Sequence, residues 1–354
     1  MATHEGTAMI LADDMVGGDS CKTTHALIRK SNRYRILGVV DSCNAGNDAG
    51  LLLDGIKRDI PVYSSIENML EESNVLPDYC IVGIATDAGR LPQSLKDLLI
   101  IAMTKGMSLV SGLHEQLCQD EALVRVAKEN NVQLIDARKS KPVKELAFWS
   151  GEINSVKAPR IAVMGTDCNL GKRTTAQFLI DECLNNKIKA EMIYTGQSGW
   201  LQGWKYGFIL DSTVNDFVGG ELEKAIVHCD REVQPDVIFI EGQSGLRNPS
   251  GPCGSELILS AQAKAVILQC APGLSHYQLE DTQYPMPPIA EELELIKLYG
   301  ATTLAVTLNS RNLEPDKVES TRKDLQNELG VPVVDVLSSG VASLIPVIKE
   351  YIGR

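Results

Sequence analysis

The sequence predicts an α/β protein of two parallel-sheet domains, over residues 1–140 and 160–354, joined by a connection at 141–159. Three observations carry this. A chain of 354 residues exceeds one ordinary hydrophobic core. Short apolar runs alternate with helical patterns in both halves, and the runs are unbroken, as strands covered on both faces are. Residues 138–159, RKSKPVKELAFWSGEINSVKAP, interrupt that rhythm, being basic at the start, with two prolines and no strong strand.

In the first half the expected strands are AMILA (8–12), RILGVVD (35–41), YCIVGIA (79–85), MSLVSG (107–112) and VQLID (132–136). Helical patterns fill 23–32, 66–73, 93–105 and 115–130; in the last, Leu117, Ala122, Leu123, Val126 and Ala127 line one face. Gly17 and Gly18 after the first strand and Asp41 at the end of the second partly mimic a dinucleotide fingerprint. GxGxxG is absent, so a Rossmann-like scaffold without a working NAD site is expected. Lys22 and Thr23, at a helix start, can still receive an anion.

After the connection the expected strands are RIAVMG (160–165), AEMIYTG (190–196), DVIFIEG (236–242), KAVILQC (264–270), TTLAVTLN (302–309) and VPVVDVL (331–337). Helices are expected around 172–186, 216–229, 289–299, 315–329 and 340–351.

RIAVMGTDCNLGKRTT (160–175) runs from an apolar strand through a polar turn into a helix. Strand, glycine, turn, Gly-Lys and helix come in the order of a phosphate-binding loop. Glycine lets backbone amides approach phosphate oxygens, the helix start directs its positive end at them, and Lys172 adds a full charge. Gly165, Thr166, Asp167, Gly171, Lys172, Arg173, Thr174 and Thr175 are therefore the expected cofactor-binding residues, and the second domain reads as P-loop NTPase-like. Arg173 stands where such loops carry the Ser or Thr that holds magnesium, and arginine cannot ligate a metal.

Glu241 closes the apolar run DVIFIEG and brings a carboxylate to the same sheet edge, as a general base or a holder of water or magnesium. GQSG occurs at 196–199 and again at 242–245, each time just after a strand, so Gln197, Ser198, Gln243 and Ser244 are expected around the ligand crevice. Arg247 and Asn248, in the Gly/Pro-rich loop 245–256, join them as substrate-binding candidates, Arg247 as a two-pronged clamp on a carboxylate. His276, in a polar loop, is a second candidate general base.

GTDCNLGK is similar to the GTDTxxGK loop of dethiobiotin synthetase, and FIEGQSG resembles that family's glutamate-bearing strand. Over nearly the whole chain, GTDCNLGKRTT, TGQSGW and IEGQSGL resemble a two-domain family formerly of unknown function that includes D-glutamate N-acetyltransferase of the DgcN type. That resemblance implies transfer of acetyl from acetyl-CoA to the amino group of D-glutamate, in D-amino acid metabolism. The pyrophosphate and 3'-phosphate of CoA suit Lys172 and Arg173 without a magnesium-ligating hydroxyl, so acetyl-CoA leads as cofactor and ATP with Mg is the alternative. An ATP-dependent carboxylate-activating ligase or kinase, and a nucleotide-sensing regulator without turnover, stay open beside the acetyltransferase.

A net charge of −12 and the lack of a dense Lys/Arg run argue against nucleic acid and anionic membrane surfaces. A small-molecule substrate is expected, with a homo-oligomer left open. No long uninterrupted apolar stretch or basic-flanked leader is read, and the nine scattered cysteines form no CxxC pair. These features fit a reducing cytoplasm, and no metal site is expected.

Overall fold

The computed structural model describes residues 4–12, 21–86, 89–279 and 283–354; Gly17 and Gly18 of the partial fingerprint lie outside them. The chain divides into two compact units, Met1–Ser140 with Gln197–Trp204, and Lys141–Gly196 with Lys205–Arg354. Both are α/β, and every strand pair is parallel.

The first unit runs β1 (Gly6–Leu11), α1 (Lys22–Arg29), β2 (Tyr34–Val40), α2 (Ala49–Asp54), β3 (Val62–Tyr63), α3 (Ile66–Ser73), β4 (Tyr79–Val82), α4 (Gln93–Thr104), β5 (Ser108–Ser111), α5 (Glu121–Glu129) and β6 (Leu134–Asp136). Its sheet has the order β3-β2-β1-β4-β5-β6, which reverses direction between β1 and β4. The second unit runs β7 (Arg160–Gly165), α6 (Lys172–Asn185), β8 (Ala190–Tyr194), then, past α7 (Gln197–Gln202) in the first unit, β9 (Tyr206–Gly207), α8 (Asn215–Val233), β10 (Val237–Glu241) and α9 (Ser255–Leu259). It ends with β11 (Ala265–Cys270), α10 (Ile289–Leu298), β12 (Thr302–Leu308), α11 (Val318–Leu329), β13 (Val333–Asp335), α12 (Val336–Ser339) and α13 (Ile345–Tyr351). Its order is β13-β12-β11-β7-β10-β8-β9.

The central strands are apolar because both faces are covered: all of β10 and β11, and β7 beyond Arg160, are buried. Two separate cores result, one around Met9, Ile10, Ile81 and Leu99, the other around Ala162, Ile240, Val266 and Val306. No helix among the described residues is long and apolar enough to cross a membrane.

Two segments depart from the expected boundaries. Gln197–Trp204, from the second half of the sequence, packs in the first unit. There Leu201 enters the core, Gln202 donates to the carbonyls of Ala26 (2.8 Å) and Lys30 (3.1 Å), and Trp200 lies under the Arg33 guanidinium. The stretch 141–159 is no slack connection. Buried Glu221 of α8 accepts from Lys141 Nζ (2.6 Å) and Ala147 N (3.0 Å), and buried Glu223 from Ser150 N (2.7 Å) and Ile153 N (3.0 Å). Two carboxylates on one helix thus supply acceptors to a segment that has no strand partner.

Candidate functional site

The site forms where β7 ends. β7 lies between β10 and β11, with Val163 opposite Glu241 and Gly165 opposite Gln269. The loop leaving β7 is therefore bordered by the carboxyl ends of both neighbours, where open α/β sheets take ligands.

Thr166 to Gly171 turn the chain into α6, with Asn169 at φ 52° and Gly171 at φ 103°. Lys172 opens the helix, and its ammonium donates to the carbonyls of Asp167 (2.6 Å) and Ser244 (2.9 Å). Burial pushes its pKa below the ordinary 10.5, against the pull of Cys168, Asp167, Cys253 and Glu241. Asp167 is fully buried and braces the loop: one oxygen accepts from Cys168 N and Asn248 Nδ2, both at 2.6 Å, the other from Gln278 N at 2.9 Å.

Close backbone approach is built in. A Cβ on Gly165 would lie 2.9 Å from Lys172 Cδ, and one on Gly245 would lie 2.6 Å from the Thr166 carbonyl oxygen. Only glycine leaves room there for the lysine and for the chain after β10.

Glu241, 5% exposed, accepts from the backbone N–H groups of Thr195 (3.0 Å) and Gly196 (3.3 Å). Burial raises its pKa above 4.5; the charge of Arg173 is the first of several influences pulling it back, followed by those two N–H groups and Lys172. Gln243 Nε2 donates to Thr195 Oγ1 at 2.9 Å. The second GQSG and the start of the first, with Thr195 before it, thus meet around Glu241.

The hydroxyls divide into two kinds. Thr175 Oγ1 donates to Gln269 Oε1 (2.6 Å), which also accepts from Thr307 (2.7 Å), so it is committed to the core. Thr166 Oγ1 and Ser244 Oγ are buried without a hydrogen-bond partner among the described residues, as is Tyr277 OH. Ser244 sits at φ 32°, a strained position for a residue with a Cβ, and there its carbonyl meets Lys172. Thr174 is half-buried.

Arg247 has partners of its own: it donates to Glu292 and Glu291 of α10, both at 2.6 Å. His276 is exposed, with its Nδ1 2.9 Å from Ser275 Oγ. Gln197 and Ser198 are buried in the first unit. Sequence reasoning missed Gln269, Tyr277, Gln278 and Asn309, whose Nδ2 donates to the Leu170 carbonyl at 3.0 Å. For Gln269 a signal existed, a polar residue near the end of the otherwise apolar run KAVILQC.

Buried lysine, a neighbouring arginine and unpartnered hydroxyls around a helix start form a donor set for an anion with several oxygens. Among the described residues no three His, Cys, Asp or Glu side chains converge as a metal site.

Residues 147–345 match a family described as a domain of unknown function, DUF1611, C-terminal P-loop domain, and residues 42–140 match its N-terminal Rossmann-like domain. A crystal structure of a DUF1611 family protein from Anabaena variabilis superposes with a TM-score of 0.85 at 26% identity, over 99% of each chain. Two curated relatives named D-glutamate N-acetyltransferase, from a Pseudoalteromonas species and from Tritonibacter scottomollicae, are each 28% identical over 75% of this chain and 79% of their own length. With both domains matched and the P-loop domain alone covering more than half of its length, the chain belongs to the DUF1611 family.

Proposed function

We propose that the protein is an N-acetyltransferase that moves the acetyl group of acetyl-CoA onto the amino group of an amino acid, with D-glutamate the leading acceptor. The two curated relatives support the reaction type. The observation that carries the choice of donor is the start of α6, where Arg173 follows Lys172 and the Thr175 hydroxyl is committed to Gln269. A metal-bound triphosphate needs a hydroxyl ligand beside the lysine, whereas the phosphates of CoA need cations and amides. The unpartnered Thr166 and Ser244 hydroxyls fit the same polyanion.

Lys172, Arg173 and the amides of 166–171 would hold those phosphates, and Asp167, fixed by Asn248 and Gln278, keeps the loop in shape. Acetyl-CoA supplies a thioester: as the C–N bond forms the C–S bond breaks, and of the two protons the acceptor ammonium sheds, one ends on the CoA thiol and one in solvent. Glu241 is the base favoured for accepting a proton, because burial has moved its pKa up toward the working range of a general base. His276 is the second base candidate.

The ATP-dependent ligase or kinase draws on Lys172 and Glu241 as well, with Thr174 as the hydroxyl left for magnesium. A thermal-shift panel separates the readings through linkage of binding to stability. Acetyl-CoA and CoA should raise the melting temperature without magnesium, and ATP should do little with it. Stabilisation by ATP alone, dependent on magnesium, would replace the acetyltransferase with the ligase; nucleotide binding without turnover would point to the regulator.

A further inference from the structure

Ser244 combines three features that conflict with an ordinary turn. Its φ of 32° is strained for a residue with a Cβ, its hydroxyl is buried without a partner among the described residues, and its carbonyl accepts from the Lys172 ammonium at 2.9 Å. The Asp167 carbonyl takes the same ammonium at 2.6 Å. Two of the three N–H donors of Lys172 are thus spent on main-chain oxygens, in the place where a phosphate needs them.

The neighbours of Ser244 are held. A Cβ on Gly242 would lie 2.5 Å from the Val163 carbonyl oxygen, and one on Gly245 would lie 2.6 Å from that of Thr166, so both glycines pack backbone to backbone against the exit of β7. The Gly242 N–H donates to the Val163 carbonyl at 3.0 Å, and the Gly245 carbonyl accepts from Cys253 N at 3.1 Å. Only Gln243 and Ser244 lie between these two anchors, and Gln243 is tied through Nε2 to Thr195 Oγ1 at 2.9 Å. What can turn is the backbone at Ser244.

We infer that Ser244 is a switch operated by phosphate. Lys172 holds it in the left-handed region through its carbonyl; a phosphate that takes over the ammonium releases that carbonyl, Ser244 relaxes to negative φ, and its hydroxyl leaves the site where nothing bonds it. One displacement then resolves the strain, the unpartnered hydroxyl and the doubly engaged lysine. The strain is given back on binding, so a residue with a Cβ at this position tightens the grip on phosphate. The switch rests on the phosphate-binding part of the proposed function and not on the choice between CoA and ATP.

Thermal melting and titration calorimetry on the full chain test it, with acetyl-CoA and with inorganic pyrophosphate, a probe that carries phosphates alone. Ser244→Gly and Ser244→Ala lose the same hydroxyl, but only glycine tolerates the left-handed region, so without ligand the glycine variant should melt above the alanine variant. The glycine variant has no strain to give back, so it should bind both probes about fivefold more weakly than the alanine variant does. Should Ser244→Ala melt too early to titrate, the parent serves as the reference that carries a Cβ. Equal affinity of the two variants would make the strain a fixed structural feature and overturn the switch. A glycine variant that melts at or below the alanine variant, or pyrophosphate binding that survives Lys172→Ala unchanged, would overturn it too. If neither probe binds the parent, the phosphate-binding reading fails and takes the switch with it; if both bind the parent and Lys172→Ala loses them, that reading stands and the two Ser244 variants decide the switch alone.

Discussion

In the proposed reaction Lys172 acts as a cation where burial works against its charge, and a bound phosphate would reverse that balance. Lys172→Ala and Arg173→Ala should each weaken acetyl-CoA binding by about 1–3 kcal/mol, the range for a lost charge-assisted contact, as read by calorimetry. Unchanged affinity in both would remove the phosphate role. Glu241 makes a different prediction. Glu241→Gln keeps an oxygen acceptor but no base, so turnover should fall by about 10²–10⁴-fold with little change in acetyl-CoA affinity. Because its folded pKa is raised, the cost of the charged form is absent below the ordinary 4.5 and grows as pH rises through the folded value. The variant should therefore match the parent in denaturant stability at acid pH and exceed it at neutral pH; a gap of the opposite sign would contradict the buried-acid account.

At the level of elements, α8 is the device that ties 141–159 down. Burial pushes the Glu223 carboxyl up, but N–H groups of Ile153 and Ser150 and the Ser150 hydroxyl outweigh it and hold the pKa below 4.5. That stabilisation is present above 4.5 and is lost as pH falls through the folded value. The protection of the Ser150 and Ile153 amides, taken relative to the intrinsic exchange rate at each pH, should fall selectively on acidification, and Glu223→Ala should cost about 1–3 kcal/mol by leaving those donors unsatisfied. Even protection of this segment across that pH range would refute the tether. The same helix shows why the sequence misled: KELAFWSGEINSV has no periodicity of its own, and its order comes from two glutamates more than seventy residues away. α7 was hidden for a related reason. Its six residues are too few for a helical pattern, and its neighbours Ala26, Lys30 and Arg33 are remote in sequence.

Across the molecule, the strands that cross a core were legible because burial on both faces writes an apolar run, as in VIFIE and AVILQC. β3 and β9, two residues each, carry too little sequence to register. The phosphate loop was legible because glycine spacing and lysine are local demands; the Asn248 and Gln278 contacts to Asp167 were not, since they depend on loops folding back over 81 and 111 residues. Arg247 looked available in the sequence, and only the tertiary fold brings Glu291 and Glu292 to it. The central claim is acetyl transfer from acetyl-CoA to an amino acid, and thiol release is its most direct readout. Purified protein with acetyl-CoA and D-glutamate, in the presence of a metal chelator, should release CoA thiol one-for-one with N-acetylated product and only when the acceptor is added. No thiol release with D-glutamate or any other amino acid, alongside magnesium-dependent ATP hydrolysis stimulated by a carboxylate, would contradict it.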